Sequence, residues 1–235
     1  MIRLQHVSKS YLGHKALDDV SIDFTKGKVT GIVGENGSGK STSLKLMAGL
    51  VRPSKGSVLI DEEPTNRQIS RIVAYMSELD QVPPFFTVGE SLNFASTQFP
   101  DFDREQAEEI LAFMKLEKTQ KVKHLSKGNR GRLKMALTMA RNAPYILLDE
   151  PFSGLDPMVR NSIVKGLIKF VDLEKQALII TTHEIREIEP ILDEVIAIRK
   201  GKILSHNTVD GIREEGRDVV EWLEDIYGSG EGYGA

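Results

Sequence analysis

The residues most able to do chemistry sit in a glycine-rich run, "GENGSGKS" at positions 34–41, which fits G-x-x-x-x-G-K-[ST]. Gly34, Gly37 and Gly39 let backbone N–H groups wrap an anion, and Asn36, Ser38 and Thr42 complete the cradle. Lys40 supplies a point charge to phosphate oxygens, and the Ser41 hydroxyl is a ligand for Mg2+. An apolar, β-rich run, "KVTGIVG", comes before the loop, and "STSLKLMAGL", with leucines at helical spacing, comes after it. Strand, loop and helix N-terminus in that order favour a nucleoside triphosphate over a plain glycine turn.

A second set of groups must supply metal ligands and a base. "YILLDEP" ends a buried-strand pattern with Asp149 and Glu150, and strand C-termini build the sites of open α/β sheets. Asp149 is suited to hold Mg2+ through water, and Glu150 to orient or deprotonate an attacking water. Two acids at a strand end also serve as a solvated turn or a helix cap; the phosphate loop upstream argues for chemistry. "LSKGNRGRL", positions 125–133, puts Ser126 and Gly128 at the mouth of a helical pattern among many cations. A hydroxyl, a close-approaching glycine backbone and a positive helix end form an anion site that waits for a partner to bring the anion.

These groups need an α/β frame. Up to about residue 30 the chain alternates and turns, which predicts antiparallel strands with hairpins around Gly13 and Gly27. "YILLDEP" and "ALIITTH" are continuous apolar runs of the kind that parallel strands buried on both faces require. From position 78 to about 143 the pattern turns helical, with "DREQAEEILAFMKLEK" an amphipathic helix started by Asp103. "EVIAIRKGKILS" predicts a hairpin at Lys200-Gly201, and two short helices then lead to a mobile glycine-rich tail, "GSGEGYGA".

The composition bounds the function. With 235 residues, 40% of them hydrophobic, the chain can bury a sizeable core. A net charge of -3 implies neither a general nucleic-acid binder nor an acidic tail. The absence of cysteine excludes disulfides and thiolate metal sites. No window reaches the roughly 18 apolar residues of a membrane span, and no signal-peptide core is present, so the chain is expected neither to insert into a membrane nor to leave the cell.

The phosphate loop, "LSKGNRGRL", "YILLDEP", "SGLD" and "TTH", in that order, resemble the nucleotide-binding subunits of ATP-binding cassette (ABC) transporters, over nearly the whole chain. The resemblance implies a P-loop ATPase core with a mixed, largely parallel sheet over 1–77 and 144–210. It also implies an N-terminal antiparallel β subdomain, an inserted helical subdomain over 78–143, and C-terminal helices and tail over 211–235. It implies ATP and Mg2+ as ligands. Ser126 and Gly128 would bind the γ-phosphate of ATP held by an opposite subunit, identical or homologous. Ser153, Gly154, Leu155 and Asp156 would line the dimer interface, His183 would contact the γ-phosphate, and Tyr11 would stack on adenine. The chain would sit on the inner face of the cell membrane through transmembrane permease subunits.

Departures from the family pattern occur. Lys127 replaces the second glycine of the signature and Asn129 its glutamine. Glu78, in "YMSELD", stands where the family commonly has a Mg2+-contacting glutamine, with Gln81 a possible substitute; a glutamate here resembles the ABC-2 type exporters of bacteria. Phe85, Phe86 and Phe94 either line the groove that receives the permease or are core of the helical lobe. Two rival functions remain open. The cations Lys118, Lys121, Lys123, Lys127, Arg130, Arg132 and Lys134 would suit a soluble ATPase acting on nucleic acid or a protein assembly. The departures at Glu78 and Lys127 would suit a nucleotide sensor without turnover.

Overall fold

The computed structural model describes residues 1–79, 81–183 and 185–229. β1 (Ile2–Tyr11) and β2 (His14–Phe24) pair antiparallel around Leu12 and Gly13, both at positive φ. β4 (Lys55–Ile60) flanks β1 on its other side and the short β5 (Glu63–Pro64) closes the edge, giving the order β2-β1-β4-β5. Alternation along these strands turns Ile2, Leu4, Val7, Leu17, Val20 and Val58 inward.

Gly27 does not make the second hairpin that the alternation suggests. The chain leaves this sheet there, and β3 (Val29–Val33) enters another between β8 (Ala177–Thr182) and β9 (Glu194–Arg199), parallel to both. Every residue of β3 is buried, so it needs cover on two faces and cannot act as the half-exposed arm of a hairpin. β7 (Tyr145–Asp149), β6 (Val73–Met76) and β10 (Lys202–Thr208) complete the order β10-β9-β3-β8-β7-β6. Only the β9–β10 pairing is antiparallel; it turns at Lys200 and Gly201, whose φ values of 48° and 77° match the tight hairpin expected there.

α1 (Lys40–Met47) lies between the two sheets. It is too short to persist alone in water, and is held because Leu44, Leu46 and Met47 pack against Ile2 and Leu17 on one side and Leu147 and Ile179 on the other. Each such side chain contributes about 1.5–3 kcal/mol of burial. The opposite face of the larger sheet meets α4 (Lys127–Met139) and α5 (Pro157–Phe170), with α2 (Val88–Gln98) and α3 (Arg104–Phe113) packed outside. Asp103 caps α3 as expected, accepting from the Gln106 N–H at 2.9 Å. α2 starts with a reciprocal capping box between Thr87 and Glu90.

The chain ends in α6 (Val209–Glu214) and α7 (Val219–Ser229), the latter docked through Val219, Trp222 and Leu223. Gly228 and Ser229, read from sequence as the start of a tail, belong to α7, and the rest of that stretch, 230–235, lies outside the described residues. Among the described residues no helix is long and apolar enough to cross a membrane.

Candidate functional site

The site forms where β3, β7 and β8 end. Past Val33 the loop 34–39 turns into α1 through Gly37 and Gly39 at φ 80° and 113°. A Cβ on Gly39 would sit 2.6 Å from the Ala16 carbonyl oxygen, so only glycine lets the loop close against β2. Lys40 folds back into this loop. Its ammonium donates to the carbonyls of Gly34 at 2.6 Å and Glu35 at 3.1 Å, and lies 3.1 Å from Glu150 Oε1.

Asp149, the last residue of β7, is held by three hydroxyls. Ser41 and Thr181 donate to its Oδ1 at 2.8 and 2.9 Å, and Tyr75 donates to Oδ2 at 3.0 Å. Burial, and then the Asp149 charge, raise the Tyr75 pKa well above the usual phenol value, so it keeps its proton. Glu150 sits in the left-handed region at φ 48°, unusual for a side chain of its size. Its N–H is fixed by the Thr181 hydroxyl at 3.0 Å and the Thr181 carbonyl at 3.2 Å. Its Oε2 lies 2.8 Å from His183 Nδ1.

Together these groups enclose a cleft of about 420 Å3. Asn36, Gly37, Gly39, Lys40, Ser41 and Thr42 form one wall, Glu78, Glu150, Ser153 and His183 the other, and His14 and Ala16 reach the rim. Ser38 Oγ and Glu150 Oε1 are buried without a hydrogen-bond partner among the described residues, as groups reserved for a ligand are. No cluster of three or more His, Cys, Asp or Glu side chains able to cage a metal occurs among the described residues. The touching Ser41 and Asp149 oxygens instead form the sparse, hard donor set that Mg2+ uses when phosphates complete its shell.

Other residues singled out from sequence lie elsewhere. Tyr11 is 41% exposed at the β1–β2 tip, with Lys9 Nζ 4.8 Å from its ring centroid. Gly34 supports the loop from behind, where a Cβ would collide with the Ile198 carbonyl. Ser126 is exposed outside the cleft and caps α4, accepting from the Asn129 N–H at 3.2 Å. Gly128 allows α4 to approach α5: a Cβ there would come 2.9 Å from Val159 Cγ2. Of the "SGLD" residues, Leu155 is buried, Ser153 is half-buried in the cleft wall, and Gly154 and Asp156 are exposed, Asp156 also capping α5. Lys127 lies across Gly154, its ammonium filling the space a Cβ would need.

The basic cluster is largely engaged within the chain. Lys118 pairs with Glu108, Arg130 donates to the Leu125 carbonyl, Arg132 donates to Asn129 and Ser162, and Lys134 donates to the carbonyls of Glu78 and Leu79. Tyr75 and Thr181 were not singled out from sequence. Thr181 was visible beside His183 in "TTH", but nothing local to "VAYMSE" says that the Tyr75 hydroxyl meets an aspartate 74 positions later.

A glycine loop between a central parallel strand and a helix, with a paired aspartate and glutamate at the end of β7, defines a P-loop ATPase. More narrowly, the family model described as ABC transporter matches residues 17–153, and the chain belongs to that family. It is 29% identical to the lipopolysaccharide export system ATP-binding protein LptB of Haemophilus influenzae, over 92% of this chain and 93% of that protein. It is 28% identical to the petrobactin import ATP-binding protein YclP of Bacillus subtilis, over 97% and 92%. The structure of a dimeric, post-hydrolysis ATP-binding cassette bound to ADP and Pi matches with a TM-score of 0.79 at 26% identity, over 88% of this chain and 98% of that one. The fold is that of the ABC ATPases, and the chain is an ATP-binding subunit that hydrolyses ATP.

Proposed function

We propose that this chain is the peripheral, inner-face ATPase subunit of a membrane exporter. It works with Mg2+, pairs with an identical or homologous ATPase subunit, and drives transmembrane permease subunits. The observation that carries this reading is a wall shared by two cavities. Glu78 faces the ATP cleft, while its neighbours Ser77 and Leu79 face an apolar groove of about 560 Å3 that is also lined by Val82, Phe86 and Phe94. Phe86 packs on the core and on both Phe85 and Phe94, with ring centroids 5.0 and 5.6 Å apart, whereas Phe94 is 48% exposed. An apolar groove next to a nucleotide site suits a helix offered by a permease. We divide the chain into a core of 1–77 and 144–210, a helical subdomain of 78–143 and C-terminal helices beyond.

In the cleft, Lys40 exchanges Glu150 for phosphate oxygens when ATP enters. Glu150 then takes the proton of the attacking water, and His183 holds that carboxylate in line before it contacts the γ-phosphate. Ser41 and Asp149, with Glu78 nearby, are the residues that would hold Mg2+, which neutralises charge on the phosphates. Ser126 and Gly128 of one copy meet the γ-phosphate bound by the other, and Ser153 and Gly154 line the contact. The exposure of Ser126 outside its own cleft and the dimeric relative support this arrangement. Contacts made to ATP and lost with ADP are what bias the closed state. Export is supported by Glu78.

The test is co-expression of wild type and Phe94→Asp with a candidate multi-span permease subunit, followed by co-purification from membranes. The variant should bind ATP with normal affinity and lose the membrane protein. Retained assembly would overturn the docking assignment, and ATP-driven uptake in whole cells would overturn export.

A further inference from the structure

α7 reaches the phosphate loop from behind. Its apolar stripe of Val219, Trp222 and Leu223 is buried against the face of the larger sheet that carries the helices. At its end, the Tyr227 hydroxyl donates to the Val33 carbonyl at 2.9 Å and also lies 3.3 Å from the Ile198 carbonyl. Val33 is the last residue of β3, so its carbonyl is the hinge at which strand becomes loop. The next carbonyl, Gly34, is the acceptor that holds the Lys40 ammonium. The two are consecutive, one held by α7 and the other by the lysine that binds phosphate.

The surroundings leave this hinge little freedom. A Cβ on Gly34 would strike the Ile198 carbonyl, which shows how closely loop and β9 are packed. The Gly201 N–H, in the β9–β10 turn, donates to the Ser38 carbonyl at 2.9 Å, fixing the far end of the loop to the same hairpin. Arg199 Nη1 donates to the Tyr227 carbonyl at 3.3 Å, joining α7 to β9 beside the hinge. Burial pushes the Tyr227 pKa up to about 12, so the hydroxyl remains a donor at neutral pH.

We propose that Tyr227 is a positioning residue for ATP binding: its hydroxyl sets the Val33–Gly34 hinge, so that the seating of α7 and nucleotide affinity depend on each other. Tyr227 does not line the cleft and acts through the loop. Removing one hydrogen bond without changing the packing loosens the loop that must present several N–H groups together. The inference rests on ATP occupying the cleft, which can be measured independently.

The chain contains a single tryptophan, Trp222, and it lies on α7, buried and outside the cleft. Its emission therefore reports α7 without contact with nucleotide. The experiment is to titrate full-length wild type and Tyr227→Phe with ADP and Mg2+, following binding by equilibrium dialysis and Trp222 emission in parallel. Wild type should change its Trp222 emission on saturation. Tyr227→Phe should bind roughly three- to tenfold more weakly, show a reduced emission change and unfold cooperatively. Wild-type affinity in Tyr227→Phe, with or without a lower Tm, would overturn the proposal. So would a Trp222 signal in wild type that is indifferent to bound ADP. Failure of dialysis to detect ADP on wild type would instead count against occupancy of the cleft itself. If Tyr227→Phe does not fold, Arg199→Lys, which keeps a cation beside the Tyr227 carbonyl, must weaken binding in the same direction for the proposal to stand.

Discussion

Glu150 meets two basic side chains at once: its Oε2 is 2.8 Å from His183 Nδ1 and its Oε1 is 3.1 Å from Lys40 Nζ. The carboxylate is aimed by its backbone, with the N–H fixed to Thr181, and is held at Oε2 by His183, while the Lys40 ammonium lies beside Oε1 without a hydrogen bond to it. Glu150→Gln keeps the shape and removes the proposed base. Turnover should fall by roughly 10²–10⁴-fold while ATP binding persists. Sedimentation of this variant with and without ATP reads whether a second copy completes the site, as an ATP-dependent doubling of mass. Hydrolysis at the wild-type rate would remove Glu150 from the base role.

Among the described residues, Tyr75 is the one donor to Asp149 Oδ2, while Ser41 and Thr181 hold Oδ1. Tyr75→Phe frees one side of the carboxylate proposed to orient the metal shell. The Mg2+ concentration for half-maximal ATPase activity should rise roughly tenfold, with kcat at saturating Mg2+ close to wild type. A uniform loss of kcat at every Mg2+ concentration would mean that Tyr75 supports the sheet and not the metal site.

Gly128 separates packing from chemistry. Alanine there meets Val159 Cγ2 at 2.9 Å and should cost about 1–3 kcal/mol by forcing α4 from α5. Val159→Ala in the same chain should restore part of that stability, a coupling visible in a double-mutant cycle by denaturant unfolding. If Gly128 also meets the phosphate of an opposite subunit, ATPase activity will stay low after stability has recovered.

The α2 cap titrates. Glu90 is held below its ordinary value of 4.5 by hydrogen bonding, foremost from the Thr87 backbone N–H. A carboxylate with a depressed folded pKa stabilises the fold fully above its unfolded pKa, and loses that contribution as pH falls through the folded value. Glu90→Ala should therefore lower Tm at neutral pH. Its difference from wild type should shrink in melts taken progressively below pH 4.5.

Local runs were legible and long-range convergence was not. "GENGSGKS" and "YILLDEP" carry their geometry in consecutive residues, so loop, helix start and strand end could be read directly. Tyr75, Thr181 and Asp149 meet only because β6, β7 and β8 pair in parallel with Met76 beside Leu148 and Asp149 beside Thr181, a register that no single run encodes. Gly27 was misread as a hairpin because a glycine turn looks the same whether the chain returns to its own sheet or crosses to another. The run "SGLD" does not itself show that Leu155 turns into the core while the exposed Asp156 caps α5. Tyr227 gave no signal, since its partner Val33 lies at the other end of the chain.

The wall that alternates between cleft and groove has a thermodynamic corollary. If ATP changes the affinity of whatever occupies the groove beside Leu79 and Phe94, linkage requires that occupant to change the affinity for ATP by the same factor. A segment with Glu78 on one side and Leu79 on the other cannot transmit in one direction only. On the proposed docking, the membrane subunit would then also be an effector of this ATPase, and the occupancy of its transport path could be titrated, without any transport assay, as a shift in nucleotide binding.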